Sequence, residues 1–129
     1  MLYVDSSALL KRVFAEAESD GVRDVIAQRQ AAGEVVVASE LAWVEVSRAL
    51  RRAQVDDADR YVELACSGIA RHPLDGAVLE RARRVGPPQI RTLDAIHLAA
   101  AVALGADEIL TFDHRLAEAA RSLGVRAIP

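Results

Sequence analysis

A chain of 129 residues, 52% of them apolar, has the length of one domain and enough apolar side chain to bury a core, which excludes a disordered polypeptide. The formal charge of -3 excludes bulk electrostatic attraction to nucleic acid, leaving only a local basic face, and the lone Cys66 excludes an intrachain disulfide. No charged stretch, apolar run and small-residue cleavage site follow one another at the N-terminus, and the longest apolar run, Ala95 to Leu104, is too short to span a bilayer; the expectation is a cytoplasmic protein with no membrane contact.

In chain order, the β-type run Leu2-Tyr3-Val4 delivers Asp5 to a strand end, and Ser6-Ser7 begin a helical pattern through Leu10. Ser19-Asp20 predict the cap of a second helix from Gly21 to Ala32, stopped by Gly33. Glu34 to Ala38 reads as a buried strand, and Ser39 as the cap of a helix from Glu40 to Ala53. Asp56 or Asp57 opens a fourth helix to about Ala70, ended by His72-Pro73, with a short strand expected over Ala70 to Leu74. Asp75 begins a helix to Val85, Gly86-Pro87-Pro88 forms a loop, and Thr92 caps an almost wholly apolar helix to Leu104. Glu108 to Phe112 is a strand, Asp113 opens a helix to Leu123, and Val125 to Ile128 is a closing strand. Strands separated by helices need crossover connections, so the fold class is α/β, with a central, mainly parallel sheet flanked by helices. No repeat or composition break divides residues 1–129, which read as a single domain.

Four of the nineteen acidic residues are placed for chemistry, and each also has an ordinary reading. Asp5 sits at the mouth of a strand, where α/β sheets collect ligands, but Asp is also a favoured N-cap; Ser6 and Ser7 offer alternatives for that task. Glu45 falls on the edge of the stripe Ala42, Val46, Ala49, Leu50 and Ala53, whereas Glu40 falls nearly opposite and reads as the solvent glutamate. Taken alone, Glu45 reads as one half of a surface ion pair with Arg48. Asp94 suits the dipole at a helix start, yet Asp94 and His97 are the only strongly polar groups on a helix that must be buried. His97 by itself reads as a hydrogen-bonded core residue. Asp113 copies the placement of Asp5, and Thr111, two residues before it, is set to donate a hydrogen bond to a carboxylate or a water.

Four ionised carboxylates in one pocket repel by roughly 4 kcal/mol per pair at about 4 Å and an effective dielectric of about 20. Such a cluster needs a cation or partial protonation. Oxygen ligands without a Cys/His set at zinc spacing point to a hard ion, Mg²⁺ or Mn²⁺, and so to phosphodiester hydrolysis by an activated water.

The stretches YVDSSALLKR, SELAWVEVSRAL, RTLDAIHLAAA and LTFDHRLAEAA, in this order and at these separations, resemble the PIN-domain family, most closely its VapC-type toxins. The resemblance covers essentially the whole chain. It implies a PIN-like α/β/α sandwich and an Mg²⁺- or Mn²⁺-dependent endoribonuclease whose acidic positions correspond to Asp5, Glu45, Asp94 and Asp113, with Asp5, Asp94 and Asp113 holding metal. It further implies cleavage of structured RNA such as tRNA or rRNA, arrest of translation, inhibition by a cognate VapB-type antitoxin, and a homodimer. Ser6 and Thr111 are expected to support the carboxylates. Lys11, Arg12, Arg48, Arg51, Arg52 and Arg91 flank the acidic motifs and are candidates for gripping the RNA backbone, although each alone reads as a solvated helix face. With one Trp, two Tyr and two Phe there is no aromatic platform for base stacking.

A catalytically inactive binding module on the same fold is the alternative, and intact carboxylates disfavour it. A phosphoacceptor module of the receiver type needs a lysine after a late strand; the only lysine is Lys11.

Overall fold

The computed structural model describes residues 1–129. Five short strands, β1 (Leu2–Val4), β2 (Val36–Ser39), β3 (Ala70–His72), β4 (Glu108–Leu110) and β5 (Arg126–Ile128), form one sheet in the order β3-β2-β1-β4-β5, with every neighbouring pair parallel. Seven helices connect them: α1 (Ser6–Leu10), α2 (Ser19–Ala31), α3 (Glu40–Arg52), α4 (Ala58–Cys66), α5 (Gly76–Ala82), α6 (Thr92–Ala103) and α7 (His114–Ser122). No helix is long and apolar enough to cross a membrane. The expected α/β sandwich with a parallel sheet is therefore the observed one.

Alternation along the strands explains the layering. Successive strand side chains point to opposite faces, so Leu2, Val4, Val36, Ala38 and Leu110 join one core, while Tyr3, Val37 and Ile109 join the other. The first core is closed by α1 to α4 through Leu9, Ile26, Val46, Leu50 and Ala65, the second by α5 to α7 through Val78, Leu98, Leu116 and Ala120. Strands buried on both faces by helices cannot carry the polar alternation of a solvated sheet, which accounts for the near-continuous apolar runs.

After β1 the chain moves outward to β2 and β3, then returns past β1 to add β4 and β5 on the other side. The direction of winding thus reverses between β1 and β4. A crevice opens beyond the strand ends at such a switch point. Val4 is in register with Leu110, so Asp5 and Thr111 leave the sheet side by side.

Several boundaries differ from the sequence reading, for local reasons. The N-cap position of α2 is Glu18, without a side-chain cap; the Ser19 hydroxyl instead donates to Phe14 O at 2.7 Å and accepts Glu16 N–H at 2.9 Å. Strand β2 begins at Val36 because Glu34 is drawn to Arg29 at 3.1 Å and to the Met1 amine at 3.7 Å. Helix α4 stops at Cys66: Arg12 takes Ala65 O and Ser67 O at 2.6 and 2.9 Å, and Gly68 turns the chain at a φ of +72°, which only glycine adopts freely. Asp57 precedes α4 in the left-handed region at a φ of 56° and makes no side-chain cap. Thr92 is the first residue of α6 rather than its cap; that position belongs to Arg91. On α3, Leu41 is buried and Ala53 is exposed, so the apolar stripe sits one turn nearer the N-terminus than the spacing suggested. Asp75 does cap α5, accepting Val78 N–H at 2.9 Å, but the helix ends at Ala82.

Candidate active site

Four elements deliver side chains to the crevice between β1 and β4. Asp5 follows β1, Glu45 comes from α3, Asp94 from the first turn of α6, and Asp113 from the turn before α7. They line one pocket of about 320 Å³, together with Ser6, Ser7, Arg91, Thr92, Leu93 and His97. All four acidic positions singled out from sequence are thus brought together from positions up to 108 residues apart.

Asp5 is 3% exposed and fully tethered. Its Oδ1 accepts from the Ser7 hydroxyl at 2.7 Å and from Ala8 N–H at 3.1 Å, and its Oδ2 accepts from the Thr111 hydroxyl at 2.7 Å. Asp5 is the N-cap of α1 and also lines the pocket. Burial pushes its carboxyl above the ordinary range, opposed by the hydrogen bonds from Ser7, Thr111 and Ala8.

Asp113 likewise caps its helix, its Oδ1 accepting Arg115 N–H and Leu116 N–H at 2.8 and 3.1 Å. Its own N–H donates to Thr111 Oγ1 at 3.0 Å. Thr111 therefore bridges the two strand-end aspartates, as the expected support. Ser6 lines the pocket, but the hydroxyl that grips Asp5 is that of Ser7, which sequence reasoning passed over. Ser7 also accepts Phe112 N–H at 2.8 Å and so ties α1 to the turn after β4.

Glu45 is not paired with Arg48. Its Oε2 lies 2.5 Å from His97 Nε2, and His97 Nδ1 lies 2.8 Å from the Tyr3 hydroxyl. His97, at 2% exposure, is the hydrogen-bonded core residue the sequence suggested, yet it also reaches the pocket. Glu40, read as the solvent glutamate, accepts Leu74 N–H at 3.1 Å and pairs with Arg71 at 3.3 Å.

Asp94 stands apart, because its Oδ2 is buried with no partner in the chain. Burial raises its pKa most, and the nearby charge of Asp113 adds to the effect. No three acidic, histidine or cysteine side chains are drawn together tightly enough to hold an ion as they stand. The carboxylates of Asp5, Glu45 and Asp113 are each restrained by their own donors, while four carboxylates, one with an orphaned oxygen, are the donor chemistry a hard divalent cation takes.

The basic candidates divide. Lys11 is tied to Glu16 and, at 3.1 Å, to Glu18, and its ammonium lies 4.5 Å from the centre of the Phe112 ring. Arg12 is spent on the carbonyls of Ala65 and Ser67, and Arg51 pairs with Asp59 at 2.8 Å. Arg48 and Arg52 are exposed on α3, and Arg91 is exposed at the pocket rim. A larger cleft of about 750 Å³ lies between α5, the loop before α6 and α6 itself, but its charged groups Glu80, Arg83 and Arg84 pair with one another at its edge.

A PIN domain family model matches residues 2–122. The chain is 33% identical to Ribonuclease VapC47 of Mycobacterium tuberculosis over 126 residues, covering 96% of this chain and 93% of the relative. It is 38% identical to Ribonuclease VapC46 of the same species over 129 residues, covering 98% and 95%. Among solved structures it is similar to Mycobacterium tuberculosis VapC20, a sarcin-ricin loop cleaving toxin, with a TM-score of 0.73, 18% identity and coverage of 92% and 95%. It is also similar to the structure of VapBC2 from Rickettsia felis bound to a DNA fragment from their promoter, with a TM-score of 0.77, 11% identity and coverage of 99% and 98%.

Proposed function

Because the chain belongs to the PIN-domain family, we propose that it is a metal-dependent endoribonuclease, the toxin of a VapBC-type toxin–antitoxin pair, acting on structured RNA in the cytoplasm. The observation that carries this reading is the convergence of Asp5, Glu45, Asp94 and Asp113 on one pocket, with Asp94 Oδ2 buried and unpartnered.

Asp5, Asp94 and Asp113 are the residues to hold Mg²⁺ or Mn²⁺. Such an ion supplies the positive charge that acidifies a water and offsets charge on the scissile phosphate. The chain itself does the positioning. Ser7 and Thr111 fix both oxygens of Asp5, Asp113 is oriented by the start of α7, and Glu45, at 21% exposure, borders the pocket as the base to take a proton from the attacking water. No side-chain nucleophile is needed. Arg91 at the pocket rim and Arg48 on α3, both exposed and without an ion pair, are the cations to meet the RNA backbone, which the acidic pocket would otherwise repel. Lys11 and Arg12, already engaged within the chain, serve the fold first.

A VapB-type antitoxin is the expected inhibitor, in keeping with the Rickettsia felis VapBC2 likeness, and a homodimer is the expected assembly. Incubating antitoxin-free protein with total cellular RNA in Mg²⁺, in Mn²⁺ and in EDTA tests the reading. Discrete, metal-dependent fragments support it, and their ends name the target. Intact RNA in both metals, with folded protein, favours a binding module instead.

A further inference from the structure

One polar chain runs from the middle of the sheet to Glu45 at the pocket, and its members Tyr3 and His97 have no part so far in the chemistry. Ser39 N–H donates to the Tyr3 hydroxyl oxygen at 3.3 Å, Tyr3 Oη lies 2.8 Å from His97 Nδ1, and His97 Nε2 lies 2.5 Å from Glu45 Oε2. Tyr3 and His97 meet edge to face, with ring centroids 6.0 Å apart at 74°. Tyr3 is wholly buried, and Ser39 is also the N-cap of α3, the helix that carries Glu45. The circuit β1–α6–α3 therefore closes through hydrogen bonds alone.

The hydrogens in this circuit can be counted. The Tyr3 hydroxyl has one hydrogen, and an oxygen that already receives Ser39 N–H. A phenol keeps its hydrogen at neutral pH. The acceptor it meets is His97 Nδ1, at 2.8 Å, and that pairing leaves Nδ1 unprotonated. A doubly protonated ring would aim Nδ1–H at the Tyr3 oxygen and take this acceptor away from the phenol hydrogen.

We infer that His97 is a positioning residue, held by Tyr3 as the neutral Nε2–H tautomer so that it donates to Glu45 Oε2 and fixes the carboxylate at the pocket edge. One glutamate oxygen is engaged and the other is left to face the pocket. Glu45 sits mid-helix with three rotatable side-chain bonds, so without this donor its carboxylate is free to swing to solvent or to Arg48, one turn away on α3. Aligning a reacting group is worth orders of magnitude in rate, which gives a buried relay of this kind a function beyond filling the core. The inference rests on the ribonuclease reading for its consequence in catalysis, but not for its geometry.

Imidazole ¹⁵N spectra of histidine-labelled protein without RNA read the tautomer directly. The expected result is a protonated Nε2 and an unprotonated Nδ1 for His97, changing to a mixture in Tyr3→Phe, which keeps the ring and removes only the donor. With RNA, Tyr3→Phe is expected to lower kcat about tenfold and His97→Ala about a hundredfold, with KM held within about twofold. His97→Gln, whose amide can donate from near the Nε2 position, is expected to recover much of the His97→Ala loss. A wild-type ring protonated at Nδ1 overturns the inference, as does wild-type kcat in both Tyr3→Phe and His97→Ala. A protein with the Nε2–H tautomer that cuts no RNA upholds the Tyr3–His97–Glu45 link and overturns the ribonuclease reading alone.

Discussion

Thr111 donates its hydroxyl hydrogen to Asp5 Oδ2 at 2.7 Å, joining residues 106 apart in sequence. Because the same hydroxyl accepts the backbone N–H of Asp113 at 3.0 Å, one small side chain ties the Asp5 carboxylate to the backbone of Asp113 at the ends of both central strands. Thr111→Val keeps the volume and removes the donor, leaving a buried carboxylate oxygen unsatisfied at a cost of about 1–3 kcal/mol. Support of this kind typically carries about 10–100-fold in metal affinity or activity. The expected outcome is a lower melting temperature together with slower RNA cleavage for Thr111→Val, and near wild-type values for Thr111→Ser; thermal melts and cleavage rates on the two variants check it.

Asp94 makes the stability of the fold depend on pH. Its folded-state pKa lies above the ordinary carboxylate value, mainly through burial, so between the two values the folded state binds more protons than the unfolded one. Stability from this group therefore rises as pH falls through the folded pKa, and its charge costs stability above that point. Asp94→Asn removes the charge, and is expected to melt above the wild type at pH 8, with the gap closing as pH falls toward about 4. Melting curves of both proteins across that range, without divalent ions, decide it. A gap that widens in acid contradicts the assignment.

The basic residues separate into two groups by what they already touch. Arg12→Ala strips two charge-assisted hydrogen bonds from the end of α4, and is expected to destabilise by about 2 kcal/mol. Arg48→Ala and Arg91→Ala remove exposed cations, so they are expected to leave the melting temperature within about a degree while weakening RNA binding and flattening its salt dependence by about one unit of slope each. Binding titrations at several salt concentrations, with melts alongside, test the division. Equal losses of RNA affinity in all three variants would contradict it.

What was legible in sequence followed from contacts between near neighbours. Leu2-Tyr3-Val4 before Asp5, and Ile109-Leu110 before Asp113, each announce a strand, a carboxylate and a helix within a few residues, and the structure has the same order. Burial of α6 was equally plain, because a run with Ala95, Leu98, Ala99, Ala100 and Ala101 leaves no polar face. The partners of Glu45 and His97 were not legible. Glu45 has Arg48 one turn away on its own helix, and that local pairing looked sufficient; only the tertiary fold brings in His97, 52 residues on. The fate of Arg12 was hidden for the same reason, since its carbonyl partners lie 53 and 55 residues away. Tyr3 read simply as a β-former, and nothing local marks its hydroxyl as the anchor of a histidine in the next layer.

The most direct measurement is the cleavage rate of one mapped RNA fragment, in Mg²⁺ or Mn²⁺, by the wild type and by Asp5→Asn, Glu45→Gln, Asp94→Asn and Asp113→Asn, each shown by thermal melting to be folded. Each substitution removes a charge with little change in volume from a pocket that four separate elements converge to build. Rates lower by roughly two orders of magnitude or more in every variant are expected if the four carboxylates act as one site. Wild-type rates in all four would contradict the assignment of this pocket as the active site.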